Sequence, residues 1–81
     1  MQKITFELDN KKYVADLNEL KSYKTSKQFA QGESNPSGMF DAMSRIFLGK
    51  DEEYIEGLGG GVDDMGRLCN AAFEAAKLKN S

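Results

Sequence analysis

The architecture of this chain is set by the stretch Ile4-Thr5-Phe6-Glu7-Leu8-Asp9-Asn10-Lys11-Lys12-Tyr13-Val14-Ala15-Asp16-Leu17. Apolar and polar side chains alternate on both sides of Asp9-Asn10, which is the period of a half-buried β-strand. Asparagine tolerates the positive φ of a tight hairpin turn. A two-residue turn at Asp9-Asn10 sets Phe6 opposite Tyr13 and Ile4 opposite Ala15. We therefore predict that residues 1–17 form a β-hairpin with one apolar face.

A two-stranded hairpin is barely stable alone in water, so helices must cover its apolar face. Helical spacing and capping residues predict a helix from near residue 18 to 30, a second from Pro36 to before Gly49, a short third after Lys50, and a fourth from about 63 to 77. We therefore predict an α+β fold in which an N-terminal β-hairpin is followed by three to four α-helices packed on one face. Residues 1–81 form a single domain in this interpretation, with a helical part over 18–78 and a frayed tail over 79–81.

Three glycines fall inside these predicted helices, namely Gly38, Gly57 and Gly66. Each destabilises a helix by up to about 1 kcal/mol relative to alanine. Gly66 borders the apolar stripe of the fourth helix. We therefore expect another element to pack closely against Gly66.

The second predicted helix has an unusually wide apolar side. Its apolar residues are Met39, Phe40, Ala42, Met43, Ile46 and Phe47. They cover an arc of roughly 160°, wider than a helix needs to cover one side of a small core. Methionine fills irregular gaps and suits adaptable contact with another chain. We predict a partner-binding contact that includes Met39, Phe40, Phe47 and Leu48. The alternative is that this helix is central and is contacted from two sides, and both can hold in part.

No catalytic motif is recognisable in the sequence. The chain contains no histidine, which is the commonest general base and metal ligand. Cys69 is the only cysteine, so no internal disulfide can form. It falls in the apolar stripe of the fourth helix, where a free cysteine behaves as a small hydrophobe. We predict that the protein is not an enzyme.

The glycine-rich and acidic segments do not form a ligand site in this interpretation. The segment 57–61 precedes a helix, as phosphate-binding loops do, but no lysine follows it. Asp63 and Asp64 place two negative charges where an anion would sit. The remaining acids lie at helix starts, where the helix dipole explains them without a metal. We predict no cofactor and no metal site.

The charge pattern argues against nucleic-acid and membrane partners. The formal net charge is −2. Lys21, Lys24 and Lys27 form a short basic ridge, but nucleic-acid binding needs a larger basic face, and the second half of the chain is acidic. No apolar run approaches the roughly 18 residues that cross a bilayer, and the first residues alternate instead of forming an apolar signal. We predict a cytoplasmic protein that binds neither nucleic acid nor membrane.

Several segments together resemble a known family. They are Ile4-Thr5-Phe6-Glu7-Leu8-Asp9-Asn10-Lys11 with Tyr13 and Ala15-Asp16-Leu17, then Lys21-Ser22-Tyr23-Lys24, Met39-Phe40-Asp41-Ala42-Met43, and Asp51-Glu52-Glu53-Tyr54-Ile55-Glu56-Gly57-Leu58-Gly59-Gly60. In these segments, which span most of the chain, the sequence resembles the small tail assembly chaperones of long-tailed bacteriophages and prophages.

The resemblance implies a non-enzymatic helper in phage tail assembly. Such a protein would coat the long, apolar tape-measure protein and keep it soluble until tail-tube subunits polymerise around it. The implied partners are the tape-measure protein and, second to it, the tail-tube protein, with a homo-oligomer left open. The family supplies no fixed site residues. The alternative is a structural phage interaction module, a tail-completion or head–tail joining component, which would remain in the mature particle.

Overall fold

The computed structural model describes residues 2–78. Its elements are β1 (Lys3–Leu8), β2 (Lys11–Asp16), α1 (Leu17–Leu20), α2 (Tyr23–Ala30), α3 (Pro36–Ile46), α4 (Asp51–Leu58) and α5 (Val62–Leu78). The predicted α+β fold, an N-terminal hairpin followed by helices, is confirmed. No helix within residues 2–78 is both long and apolar enough to cross a membrane. The tail predicted over residues 79–81 lies outside the described residues.

The hairpin has the predicted register. β1 and β2 pair antiparallel, with Ile4 opposite Ala15 and Phe6 opposite Tyr13. The turn residues Asp9-Asn10 have φ values of 53° and 65°. Two positive values in succession are what a type I′ turn requires, and its twist matches that of the flanking strands.

The single helix predicted over residues 18–30 is instead two helices. The side chain of Asp16 caps α1, and Ser22 Oγ caps α2 by accepting a hydrogen bond from the amide of Thr25 (3.4 Å). A continuous helix would have carried the buried stripe of α1 onto Lys24. The new start at Ser22 leaves Lys24 exposed and buries Thr25.

α3 begins as predicted and ends in a tight reversal. Asn35 caps it, and Pro36 occupies its first turn. At the other end Leu48 and Gly49 are both left-handed, with φ values of 57° and 82°. The amide of Gly49 donates to the carbonyl oxygen of Ser44 (2.8 Å). Glycine usually occupies the first left-handed position after a helix, so leucine at 48 is unusual.

Aromatic rings attach the hairpin to the helices. The ring centroid of Phe6 lies 5.6 Å from that of Tyr13 and 6.4 Å from that of Phe47, and Tyr54 meets Tyr13 edge-on at 4.8 Å. The hydroxyl of Tyr54 also accepts a hydrogen bond from the amide of Val14 (3.3 Å) at the outer edge of β2. Other core residues are Ile4, Ala15, Leu17, Leu20, Met43, Ile46, Leu68, Cys69, Ala72 and Ala76.

The expectation that another element packs closely against Gly66 is wrong. A Cβ atom placed on Gly66 would have no heavy atom within 4 Å beyond its own helix backbone and chain neighbours. Gly66 is exposed on α5. Bordering the apolar stripe therefore does not bring it into contact with another element.

We predict that Gly66→Ala raises the free energy of unfolding by up to about 1 kcal/mol, because alanine is the better helix former and space is open. Urea denaturation measures the change. Gly38→Ala is the matched control, since its Cβ would lie 2.7 Å from Nδ2 of the capping side chain of Asn35. A gain at Gly38 equal to that at Gly66 would contradict this account.

Two tyrosines of the core should respond oppositely to loss of the hydroxyl. Tyr13 is 4% exposed, and its hydroxyl has no hydrogen-bond partner within residues 2–78. Tyr13→Phe removes this unsatisfied group and should raise the free energy of unfolding by about 1 kcal/mol. Tyr54→Phe removes the hydrogen-bond acceptor of the Val14 amide and should lower the free energy of unfolding by about 1 kcal/mol. Paired urea titrations test this, and a loss of stability in Tyr13→Phe would refute it.

Candidate functional site

An apolar groove opens between α3, α4 and the start of α5. We call it the α3–α5 groove. Its volume is about 320 Å³. Its apolar lining consists of Phe40, Met43, Ile55, Val62 and Met65. The groove is mainly apolar and is open to solvent.

Helical spacing places these side chains along the groove. Phe40 and Met43 lie three residues apart on α3, and Val62 and Met65 lie three apart on α5, so each pair shares a face. Ile55 projects from α4 between them. The groove therefore draws one or two apolar side chains from each of three helices.

The groove exposes large apolar side chains. Phe40 is 48% exposed and Val62 is 78% exposed, whereas Met43 is only 2% exposed and forms part of the floor. Covering such surface removes apolar area from water and is favourable. A cluster of exposed apolar residues with a buried floor is typical of a surface that another chain contacts.

The rim of the groove is acidic. Asp51, Glu52 and Glu56 line it. Residues 51–64 contain six carboxylates and no lysine or arginine. A segment bearing lysine or arginine would therefore be attracted to this rim.

The nearest arginine is already engaged. Arg67 donates to Asp64 (2.9 Å) and to Asp9 (2.9 Å), and both ion pairs are at the surface. The hydrogen bond from Arg67, followed by one from the amide of Gly61, holds the pKa of Asp64 below its usual value. The Arg67 bonds tie α5 to the hairpin turn and to its own first turn, and Arg67 does not line the groove.

The structure does not bring the four predicted contact residues together. Phe40 lies in the α3–α5 groove. Met39 is half-buried in a separate depression beside Gly32. Leu48 is half-buried at the left-handed turn after α3. Of the four, only Phe40 lines this groove.

Phe47 is corrected from a contact residue to a core residue. It is 0% exposed and packs against Phe6 and Tyr54. The wide apolar arc of α3 arises because the helix packs against α1, α2 and β2 while Phe40 remains outside. The interpretation of a central helix therefore accounts for Phe47.

The other groove residues could not be found from the sequence. Ile55 and Met65 fit the apolar stripes of their own helices, so periodicity assigns them to the core. They share a groove because left-handed Gly59 and Gly60, with φ values of 138° and 76°, fold the start of α5 against α4. The glycine run was the only signal, and it indicated a turn but not its direction.

Cys69 is buried and unreactive near neutral pH. It is 7% exposed, and burial, followed by the charge of Asp51, raises the pKa of its thiol to about 11. The thiol is therefore protonated near neutral pH and a poor nucleophile. Within residues 2–78 no three His, Cys, Asp or Glu side chains are grouped so that they could hold a metal ion.

A polar cluster away from the groove joins α1, α2 and α3. Glu19 Oε2 accepts hydrogen bonds from Thr25 Oγ1 (2.9 Å) and from Arg45 Nε (3.2 Å), and Arg45 also donates to Gln28. Burial alone would raise the pKa of Glu19, but the bonds from Thr25 and Arg45 outweigh it and lower the pKa. Because each member has a partner inside the cluster, its role is to hold the three helices together.

The charge of Glu19 should make stability depend on pH. The pKa of the Glu19 carboxyl is lower in the folded chain than in the unfolded chain. The stabilisation by ionised Glu19 is therefore fully present above its unfolded-state pKa and is lost as pH falls through its folded-state pKa. Glu19→Gln should lower the free energy of unfolding at neutral pH by about 1 kcal/mol and flatten its acid dependence. Urea titrations between neutral and acid pH test this, with exposed Glu33→Gln as control. Equal acid dependence in Glu19→Gln and the native chain would contradict the role of Glu19.

A scan against protein families, a search of curated proteins and a search of solved structures find no match to this chain.

Proposed function

We propose that this chain is a tail assembly chaperone of a phage or prophage. It binds the tape-measure protein in the host cytoplasm and keeps it soluble while the tail is assembled. The sequence resemblance motivates the family, and the α3–α5 groove is the observation that carries the binding function. The groove supplies exposed apolar surface next to a buried floor, which a chaperone for an apolar chain requires.

The groove suits an amphipathic helical segment. An amphipathic helix places its apolar face into such a groove through side chains spaced three and four residues apart. Met43 and Met65 are flexible and fit side chains of different shapes. That adaptability suits a partner whose apolar positions vary along its length.

The acidic rim selects among apolar segments. Asp51, Glu52 and Glu56 favour a segment in which lysine or arginine flanks the apolar face. The contact is also small, since the groove holds only a few side chains. Small interfaces are typical of transient complexes, and a chaperone must leave when tail-tube subunits replace it.

Co-expression with the tape-measure protein of the same phage or prophage tests the function. We expect the chain to raise the soluble fraction of the tape-measure protein severalfold. The double variant Phe40→Ser with Val62→Ser should lose most of this effect, because it removes exposed apolar surface without entering the core. Tyr23→Ser is the matched control, since Tyr23 is 80% exposed on α2 and outside the groove.

Three results would count against the proposal. A tape-measure protein that is equally insoluble with and without the native chain would exclude the chaperone function. Full activity of the double variant would exclude the groove as its site. Stoichiometric presence of the chain in purified mature virions would favour the alternative of a tail-completion or head–tail joining component.

A further inference from the structure

β1 has an unpaired outer edge. The two-residue turn and the bond from the amide of Leu17 to the carbonyl oxygen of Gln2 (2.7 Å) show that the even-numbered residues of β1 point their backbone groups toward β2. The backbone groups of Lys3, Thr5 and Glu7 therefore point away from it. No residue within 2–78 forms a hydrogen bond with these outward groups.

The two outer edges of the sheet differ in their hydrogen bonding. At the outer edge of β2, the amide of Val14 is bonded to the hydroxyl of Tyr54. At the outer edge of β1, nothing in the described chain bonds to the corresponding amide of Thr5. A row of unpaired strand groups is a template for another strand.

A groove runs along this unpaired edge. We call it the β1–α5 groove, and its volume is about 610 Å³. Its lining residues are Thr5, Phe6 and Glu7 of β1 and Ala71, Glu74, Ala75 and Leu78 of α5. Because the side chains of Ala71 and Ala75 are small, the groove is shallow on its α5 side, and a chain beside β1 would contact a mainly apolar surface there. The position is that of a third strand laid over a helix.

We propose that the β1–α5 groove binds an extended segment of a partner protein as a third strand of the sheet. Main-chain hydrogen bonds to Lys3, Thr5 and Glu7 would supply the affinity, and alternate apolar side chains would face α5. The charges of β1 define the segment further: an acidic residue opposite Lys3 and a basic residue opposite Glu7. This proposal goes beyond the chaperone function, because it concerns a second surface and an extended ligand.

A second copy of this chain fits the edge less well. Pairing two β1 strands would place them about 4.8 Å apart, and each chain would bring its α5 beneath the shared edge. Packed helices need about 8–10 Å between their axes. Because α5 lines the groove beside β1, a second copy would have to place its own α5 in the same space, which leaves too little room for both helices.

Amide hydrogen exchange with a defined peptide tests the proposal. The probe is an end-capped pentapeptide with the sequence lysine, valine, threonine, valine, glutamate, which meets both charge requirements when antiparallel to β1. At millimolar concentration it should slow exchange of the Thr5 and Glu7 amides by about tenfold, the change produced by about 1.4 kcal/mol of binding. The Val14 amide, bonded to Tyr54, should not change.

Two matched controls isolate main-chain pairing. The same peptide with an N-methylated threonine lacks one donor and should protect Thr5 at least several-fold less. In the protein, Thr5→Pro removes the outward amide, whereas Thr5→Val keeps it, and proline is tolerated on edge strands. We expect peptide binding to be lost in Thr5→Pro and kept in Thr5→Val. If Thr5→Pro does not fold, the N-methylated peptide still decides the question.

The outcomes are distinct. Protection by the plain peptide and not by its N-methylated form supports the proposal. No protection of Thr5 or Glu7 at millimolar peptide overturns it. Protection that appears with rising protein concentration alone would show that a second copy occupies the edge, and would also overturn it. The two grooves share no lining residue, so failure here leaves the α3–α5 groove untouched.

Discussion

Where the hairpin meets the helices, the rings of Phe6, Tyr13, Phe47 and Tyr54 pack together at centroid distances from 4.8 to 6.4 Å. A two-stranded hairpin has too little buried surface to be stable alone. Four of the described helices, α1 to α4, have only 4 to 11 residues, and helices that short are marginal in water without packing. Each part therefore depends on the other through this aromatic contact. Phe47, which follows the last residue of α3, brings that helix into the contact through Phe6 and Tyr54.

The same contact determines what is left for binding. It uses the inner part of the wide apolar arc of α3, including Ile46 and Phe47, and it leaves Phe40 outside. α4 then contributes Tyr54 to the core and Ile55 to the α3–α5 groove. Asp51 and Glu52 lie in the first turn of α4, where the helix dipole favours acids, and Glu56 follows about one turn later; all three line the groove. One arrangement of three helices thus yields both the core and an apolar surface bordered by negative charge.

Local patterns predicted the hairpin, its register and the start of α3, because turn and capping chemistry depend on neighbouring residues. They failed where distant packing decides. The break before Ser22 depends on whether Lys24 would be buried, and the alternation of apolar residues alone does not reveal it. The burial of Phe47 and the meeting of Ile55 with Met65 depend on how helices are folded over one another. The free edge of β1 was implicit in a two-stranded sheet, but the groove beside it required the position of α5.

α5 also fixes the spacing between the two grooves. Met65 lines one and Ala75 lines the other. Ten residues of helix separate them by about 15 Å along the axis. About five extended residues could span that distance, so one partner chain could carry both an amphipathic helix and a neighbouring strand. Binding at the first groove would then raise the effective concentration of the second segment, and two weak contacts would act as one stronger attachment. Release would need only one of them to be displaced first, after which the other would dissociate at its own fast rate.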